Sequence, residues 1–352
     1  MKLSKLKLCN DHRNGSKEKS VEKRGVVSAD ALGTHLISDM MNVGRVFAII
    51  FVIVAHISVD KASALWSVYN ILGTLGAPLF LVISGYYFKR HPLKVFLKKK
   101  TTSVLIPWVV LGSITYLRTF ISSPDSIDVS SWLAWLLGYK TYLYFIPVLV
   151  VCWMVFFHNN CISLVGTIAV NILSLIATQF GWLDSIITNI GLTNYLNPLN
   201  WIGFFAFGIL LSKLPHKKLY EFLARTRVWA IAIWLAVTAL LVFARMEMSY
   251  FSWHGLLYEL LGMHAILGLS SYTLFHNKVI MGIAKKTFAI YILHMMFISL
   301  LAKIYSIHPL LEMFAWAIVL GFVYLLIELL LFVSKKLKLE KVYCLVLGIR
   351  GA

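Results

Sequence analysis

The chain has 352 residues and a net charge of +18, with 59% hydrophobic and only 14% charged residues. A mean hydropathy of +0.80 excludes a soluble domain, which typically carries about 25% charged residues. Long unbroken apolar runs exclude a β-barrel, whose strands alternate over roughly ten residues. The placement of the positive charge argues against a nucleic-acid protein, because 27 of the 33 Lys and Arg fall in alternate connections between apolar runs.

Residues 1–38 form a basic, polar N-terminal tail. The apolar run after it is longer than a cleavable signal core and reads as an uncleaved first span. Apolar stretches then lie near 41–59, 66–88, 102–121, 140–157, 161–180, 198–212, 228–245, 254–276, 284–304 and 309–333. The pattern predicts an all-α polytopic membrane protein with about ten transmembrane helices, built as one membrane domain over 39–335 and a short basic tail over 336–352. Gly181–Asn197 is long enough for a re-entrant or interfacial piece.

Eight Lys or Arg precede the first span, six lie in Lys89–Lys100, five in Lys213–Arg227, three in Lys278–Lys286 and five after Ser334. Only Lys61, Arg118, Lys140, Arg245 and Lys303 lie towards the other side, with Arg45 inside the first span. The positive-inside rule then predicts both termini cytoplasmic. Four cysteines are too few for a disulfide framework. Cys9, Cys152, Cys161 and Cys344 are expected as reduced thiols.

Several polar groups interrupt the apolar runs. Arg45 and His56 share the first span, about 16 Å apart along a helix and roughly 20° apart around it. Titratable groups are expensive in lipid, so either one marks a function or each is satisfied structurally, Arg45 by reaching the interface and His56 by a neighbouring helix. An imidazole suits general-base chemistry on a hydroxyl, and a guanidinium suits a phosphate. In the second span, Gly73, Gly76, Pro78, Ser84 and Gly85 make either a packing surface or a wall beside a cavity.

The loop Lys89–Lys100 serves as a topology signal facing lipid or as a cradle for a polyanion such as coenzyme A. Thr287, Tyr291 and His294 share one face of the ninth span. Glu259, with His254 and His264 nearby, and Glu328 are intramembrane acids. Either could orient an imidazole or bind a sugar hydroxyl. No metal-binding, Walker A, dinucleotide or GxSxG motif is present.

Taken in order, these features resemble the acyltransferase-3 family of integral membrane acyltransferases, which O-acylate cell-surface glycans. Arg45 to His56 matches its arginine, ten residues, histidine motif. Phe80-Leu-Val-Ile-Ser84-Gly85-Tyr86 is similar to its FFxxSGY segment. Thr287-Phe-Ala-Ile-Tyr291-Ile-Leu-His294 resembles its SxxxYxxH segment, and Asn200-Trp-Ile-Gly-Phe-Phe-Ala-Phe-Gly208 its glycine-bearing sixth helix.

The resemblance covers about residues 36–335 and is nearest to the stand-alone surface-polysaccharide type. There are departures from the family pattern. Asn42 stands where an acid is common, with Asp39 out of register. Lysines 94, 98, 99 and 100 replace a cytoplasmic arginine motif, and Tyr142-Leu-Tyr144-Phe145 replaces a segment often containing His and Trp. The hydrolase-like domain fused to some members is not expected here.

The resemblance implies transfer of an acyl group, most simply acetyl, from cytosolic acyl-CoA to a glycan hydroxyl at the outer face of the cytoplasmic membrane. His56 is then the catalytic histidine, and Arg45 with Lys94, Lys98, Lys99 and Lys100 holds the donor. Ser84, Tyr86, Tyr144, Glu259, Tyr291 and His294 are candidates for the pore and acceptor site. No tightly bound cofactor, metal or nucleic acid is expected. The expected partners are membrane lipid, acyl-CoA and a surface glycan or its lipid-linked precursor. The alternatives are a glycan or lipid transporter and a non-catalytic subunit of a polysaccharide-synthesis complex.

Overall fold

A computed structural model describes residues 12–122, 128–158 and 163–349, with side chains over 33–118, 128–157 and 163–349. Every regular element among them is helical. In chain order these are α1 (His12–His56), α2 (Ala64–Gly73), α3 (Gly76–Tyr86), α4 (Leu93–Lys100), α5 (Ile106–Ser122), α6 (Val129–Leu136), α7 (Phe145–His158), α8 (Leu164–Gln179) and α9 (Asp184–Asn189). They continue with α10 (Ile202–Ser212), α11 (His216–Phe243), α12 (Trp253–Leu269), α13 (Lys278–Ala284), α14 (Thr287–Tyr305), α15 (Pro309–Met313), α16 (Ala315–Lys336) and α17 (Glu340–Leu347).

Each of the ten apolar stretches is occupied by helix. Five segments among the described residues are long and apolar enough to cross a membrane: Gly33–His56, Ala64–Tyr86, His216–Phe243, Thr287–Tyr305 and Ala315–Lys336. Residues 12–38 of the N-terminal tail continue into the first span as one helix. Residues 1–11, and with them Cys9, lie outside the described residues, as does Cys161. Cys152 and Cys344 are buried free thiols. The connection 181–197 holds the single short helix α9.

Proline placement explains where helices break. Pro78 has no N–H and its ring collides with the carbonyl four residues back. The second apolar stretch therefore stops at Gly73 and restarts at Gly76, with Pro78 in the first turn of α3 where its missing donor is harmless. Pro147 acts likewise at the start of α7, leaving Tyr142–Tyr144 as a 3₁₀ turn that peels away from the helix. Ahead of Pro107 the chain widens into a π-helical turn over Thr101–Leu105, closed by the Ile106 N–H donating to the Thr101 carbonyl.

α1 is the axis of the bundle and packs against α2, α3, α11, α12, α13, α14 and α16. α3 and α10 pack extensively against each other. A β-carbon at Gly85 would stand 2.1 Å from the Phe205 carbonyl oxygen, and one at Gly208 would stand 2.0 Å from that of Val82. Only glycine permits that approach. Outward-facing Trp229, Leu240 and Phe243 make α11 the apolar rim of the bundle.

Candidate active site

Two cavities divide the bundle core between them. The Arg45 cavity, about 380 Å³, is lined by Arg45, Ser84, Tyr87, Lys100, Lys285 and Thr287 among others. The His56 cavity, about 750 Å³, is lined by His56, Arg118, Lys140, Tyr142, Tyr144 and Ser299 among others. Between them lies a small void of about 20 Å³ walled by His56, Phe80, Tyr142, Tyr144, Phe145 and Tyr291. Phe80, Phe145 and Tyr291 also face the first cavity, and His56, Tyr142 and Tyr144 the second.

Helix direction shows that the cavities occupy opposite ends. Along α1, Arg45 enters one cavity and His56 the other, eleven residues or about 16 Å apart. Along α14, Thr287 and Tyr291 face the Arg45 cavity, while Met295 and Ser299 face the His56 cavity. α7 runs the other way, from Tyr144 just before it to Trp153. The C-terminal segment lines the Arg45 cavity through Gly348, at the end where α1 enters the bundle.

The wall between the cavities is held by a reciprocal pair of hydrogen bonds. Tyr142 donates from its hydroxyl to the Ile292 carbonyl at 2.6 Å, and Tyr291 donates to the Tyr142 carbonyl. The 3₁₀ turn that Pro147 creates is thereby clamped onto α14. Tyr250 donates to the Gly73 carbonyl at 2.8 Å, at the break Pro78 creates. Gly73 itself lies against the end of α1, where a β-carbon would meet the Cα of Ala55 at 2.8 Å. This contact seats the residue before His56.

His294 is fully buried, and its ring centre lies 5.3 Å from that of His56 and 5.2 Å from that of Tyr142. Its Nδ1 bonds the Tyr291 carbonyl, which can only accept, so Nδ1 carries the proton. Nε2 is then a lone-pair acceptor in the neutral ring, and it has no hydrogen-bond partner among the described residues.

At the other end, Arg45 donates to the Asn42 side-chain oxygen at 3.3 Å and lies 4.7 Å from the Tyr87 ring centre. Asn42 thus takes up the position and contact expected of an acid, without its charge. Lys100 lies 4.0 Å from the Trp153 ring centre.

The structure brings together His56, Tyr144, Tyr291 and His294 around the dividing wall, and Arg45, Ser84 and Lys100 in the Arg45 cavity. Lys94, Lys98 and Lys99 are exposed on α4 and line neither cavity, although Lys99 approaches His91 Nε2 at 3.3 Å. Tyr86 also lines neither; its hydroxyl bonds His216 Nδ1 at 2.7 Å and ties α3 to α11.

Glu259 is fully buried on α12, is not among the residues lining either cavity, and its carboxyl oxygens have no hydrogen-bond partner among the described residues. Glu328 is engaged by Lys286 at 2.7 Å, and His264 by Thr226 at 2.7 Å. No three His, Cys, Asp or Glu side chains among the described residues assemble as a metal site.

Lys285, Trp135, Tyr195 and Tyr250 were not singled out from the sequence. Tyr195 and Tyr250 lie in connections at span ends, where aromatic residues ordinarily mark the membrane interface, so nothing local distinguishes them.

These features define a membrane protein whose core is divided by one histidine-bearing wall reached from both ends. Residues 39–333 match the family model described as an acyltransferase domain, and the chain belongs to the acyltransferase-3 family of membrane acyltransferases. Neither a curated protein nor a solved structure matches the chain.

Proposed function

We propose that this protein transfers an acyl group, most simply acetyl, from cytosolic acyl-CoA to a hydroxyl of a surface polysaccharide or its lipid-linked precursor. The single observation carrying the reading is that two cavities enter from opposite ends and meet at a wall containing His56. The Arg45 cavity lies at the end of the basic loops, which the positive-inside rule puts in the cytoplasm of a ten-span protein with both termini inside. It is the donor side, in the cytoplasmic membrane.

In this reading Arg45, Lys100 and Lys285 hold the phosphates of the donor, and the thioester reaches into the wall between Phe80 and Tyr291. The acceptor hydroxyl enters the His56 cavity. His56 takes its proton, the oxygen attacks the thioester carbonyl carbon, and the carbon–sulfur bond breaks. The thiolate leaving group then takes the proton back from His56. In this reading His294 acts through His56: its unpartnered Nε2 accepts the His56 ring N–H only once the His56 ring turns towards it in the substrate complex, which leaves the other ring nitrogen as the base, the role an orienting group plays in catalytic triads. Lys94, Lys98 and Lys99 form an electrostatic funnel outside the cavity.

The test supplies isolated membranes with acetyl-labelled acetyl-CoA and host envelope glycan, comparing wild type with His56→Ala at matched protein levels. Label in the glycan should fall by about 10²-fold or more. Equal labelling removes His56 from the mechanism. Unchanged glycan export with lost acylation separates the enzyme from a transporter.

A further inference from the structure

Cations are scarce at the end of the molecule where the His56 cavity opens. Of the Lys and Arg whose side chains are described, only Lys61, Arg118, Lys140, Arg245 and Lys303 lie towards that end. Two of those five, Arg118 and Lys140, line this one cavity. Among the described residues no Asp or Glu lines it. A residue distribution set by topology alone removes cations from this end, and gives no reason for those remaining to converge beside the histidine.

The rest of the wall explains what the charges accompany. Trp135, Tyr142, Tyr144, Tyr195 and Tyr250 present aromatic surface, which suits the apolar faces of sugar rings. A volume of about 750 Å³ falls in the range that encloses a small ligand. Low-dielectric walls of this kind focus the field of the two cations into the cavity instead of letting water dissipate it.

Arg118 projects from α5 and reaches the Met296 carbonyl on α14 at 3.4 Å, so its guanidinium spans the rim between those helices. Lys140 sits in the turn that closes with Thr141 N–H donating to Gly138 at 3.2 Å, on the approach to Tyr142. A guanidinium matches the paired oxygens of a carboxylate or phosphate, and an ammonium adds a second point charge.

We infer that the acceptor held in the His56 cavity is an anionic glycan, its carboxylate or phosphate bound by Arg118 and Lys140 while a hydroxyl faces His56. The inference rests on the acyltransferase reading for the role of that hydroxyl, and on the cavity alone for the charge. Anchoring the anion at the rim selects which hydroxyl reaches the base. Arg118 and Lys140 are thus specificity-determining residues.

Binding to the detergent-purified full chain by calorimetry tests it, with trigalacturonate and its carboxyl-reduced trisaccharide as the matched probes. A parallel arm uses N-acetylglucosamine joined to farnesyl diphosphate against free N-acetylglucosamine, and so separates a sugar carboxylate from a lipid-linked diphosphate as the source of charge. At least one anionic probe should bind about 10-fold tighter than its neutral partner, with the difference shrinking as salt rises.

Arg118→Gln and Lys140→Gln should each weaken that anionic binding by about 5-fold or more. Lys61→Gln, a charge-matched change lining neither cavity, should not. No preference in either arm, whether both probes bind or neither does, overturns the inference, as does a preference that survives the Arg118/Lys140 double substitution. Acetyl transfer is read in the same preparation. Anion preference without transfer to any glycan upholds the anion site and removes the acyltransferase reading, whereas equal transfer to acidic and neutral glycans does the reverse.

Discussion

His294 donates its Nδ1–H to the Tyr291 carbonyl one turn back on its own helix, and the same ring lies 5.3 Å, centre to centre, from His56 on α1. Two histidines from helices remote in sequence therefore meet at the wall between the cavities, and the tautomer of one is set by a backbone carbonyl. If His294 orients His56, His294→Ala should lower kcat by about 10²-fold with little change in KM for either substrate. His294→Gln keeps an acceptor oxygen and should recover part of that loss. Equal rates in the Ala and Gln variants would show that His294 only fills space.

Arg45 and Lys100 face the other cavity, each against an aromatic ring. A charge-assisted hydrogen bond contributes about 1.5–3 kcal/mol, so Arg45→Gln should raise KM for acetyl-CoA by roughly 10- to 100-fold. Lys100→Gln should act in the same direction. Lys94→Gln and Lys98→Gln, on the exposed face of α4, should change the salt dependence of donor capture and leave KM nearly untouched at high salt. A large KM effect of Lys98→Gln at high salt would contradict the assignment of that face to steering.

Gly85 and Gly208 carry the α3–α10 contact. Gly85→Val must push two backbones apart, and overpacking of this kind typically destabilises by about 1–3 kcal/mol. Because α3 also carries Phe80 and Ser84 to the Arg45 cavity, the variant should lose thermal stability in detergent and donor binding together. Retained stability would show that the helices can separate without cost.

Asp128 caps α6 in the connection between α5 and α7, and also accepts from the Ser130 hydroxyl. The Ser131 backbone N–H is the main reason its carboxyl is held below the usual carboxylate range, with the Ser130 and Ser131 side chains adding to it. A depressed folded-state pKa means that the cap stabilises α6 above the ordinary Asp pKa and that this support is lost as pH falls through the lowered value. Hydrogen exchange over residues 129–136, which carry Trp135 into the His56 cavity, should therefore quicken at acid pH relative to neutral after correction for intrinsic rates. Asp128→Asn keeps a capping oxygen and should flatten that dependence.

Parts of the site were legible because they lie on single helices. A period of 3.6 residues is enough to put Arg45 and His56 on one stripe, and Thr287, Tyr291 and His294 on another. Tyr86 and Glu259 show the limit of such reasoning. Both are polar residues within apolar helices, yet Tyr86 is used to tie α3 to α11 and Glu259 is buried away from both cavities' linings. A helical stripe says that a residue faces protein and does not say whether it faces a cavity. Tyr250 gave no periodic signal at all, because it lies in the connection between α11 and α12.

By itself the sequence determined that the chain is helical, that it belongs in a membrane, and which end of each apolar stretch is basic. These follow from hydropathy, segment length and charge placement, all local properties that survive without knowledge of packing. Pro78, Pro107 and Pro147 also act locally, since a missing N–H breaks a helix wherever it falls. Only the tertiary structure decided that His56 meets His294, that Tyr142 and Tyr291 clamp a wall between two cavities, and that Lys100 faces a cavity while Lys94, Lys98 and Lys99 do not. Those outcomes depend on the distance between helices, set by glycine contacts such as Gly85 against Phe205 and Gly208 against Val82, and no single helix carries that distance in its own pattern.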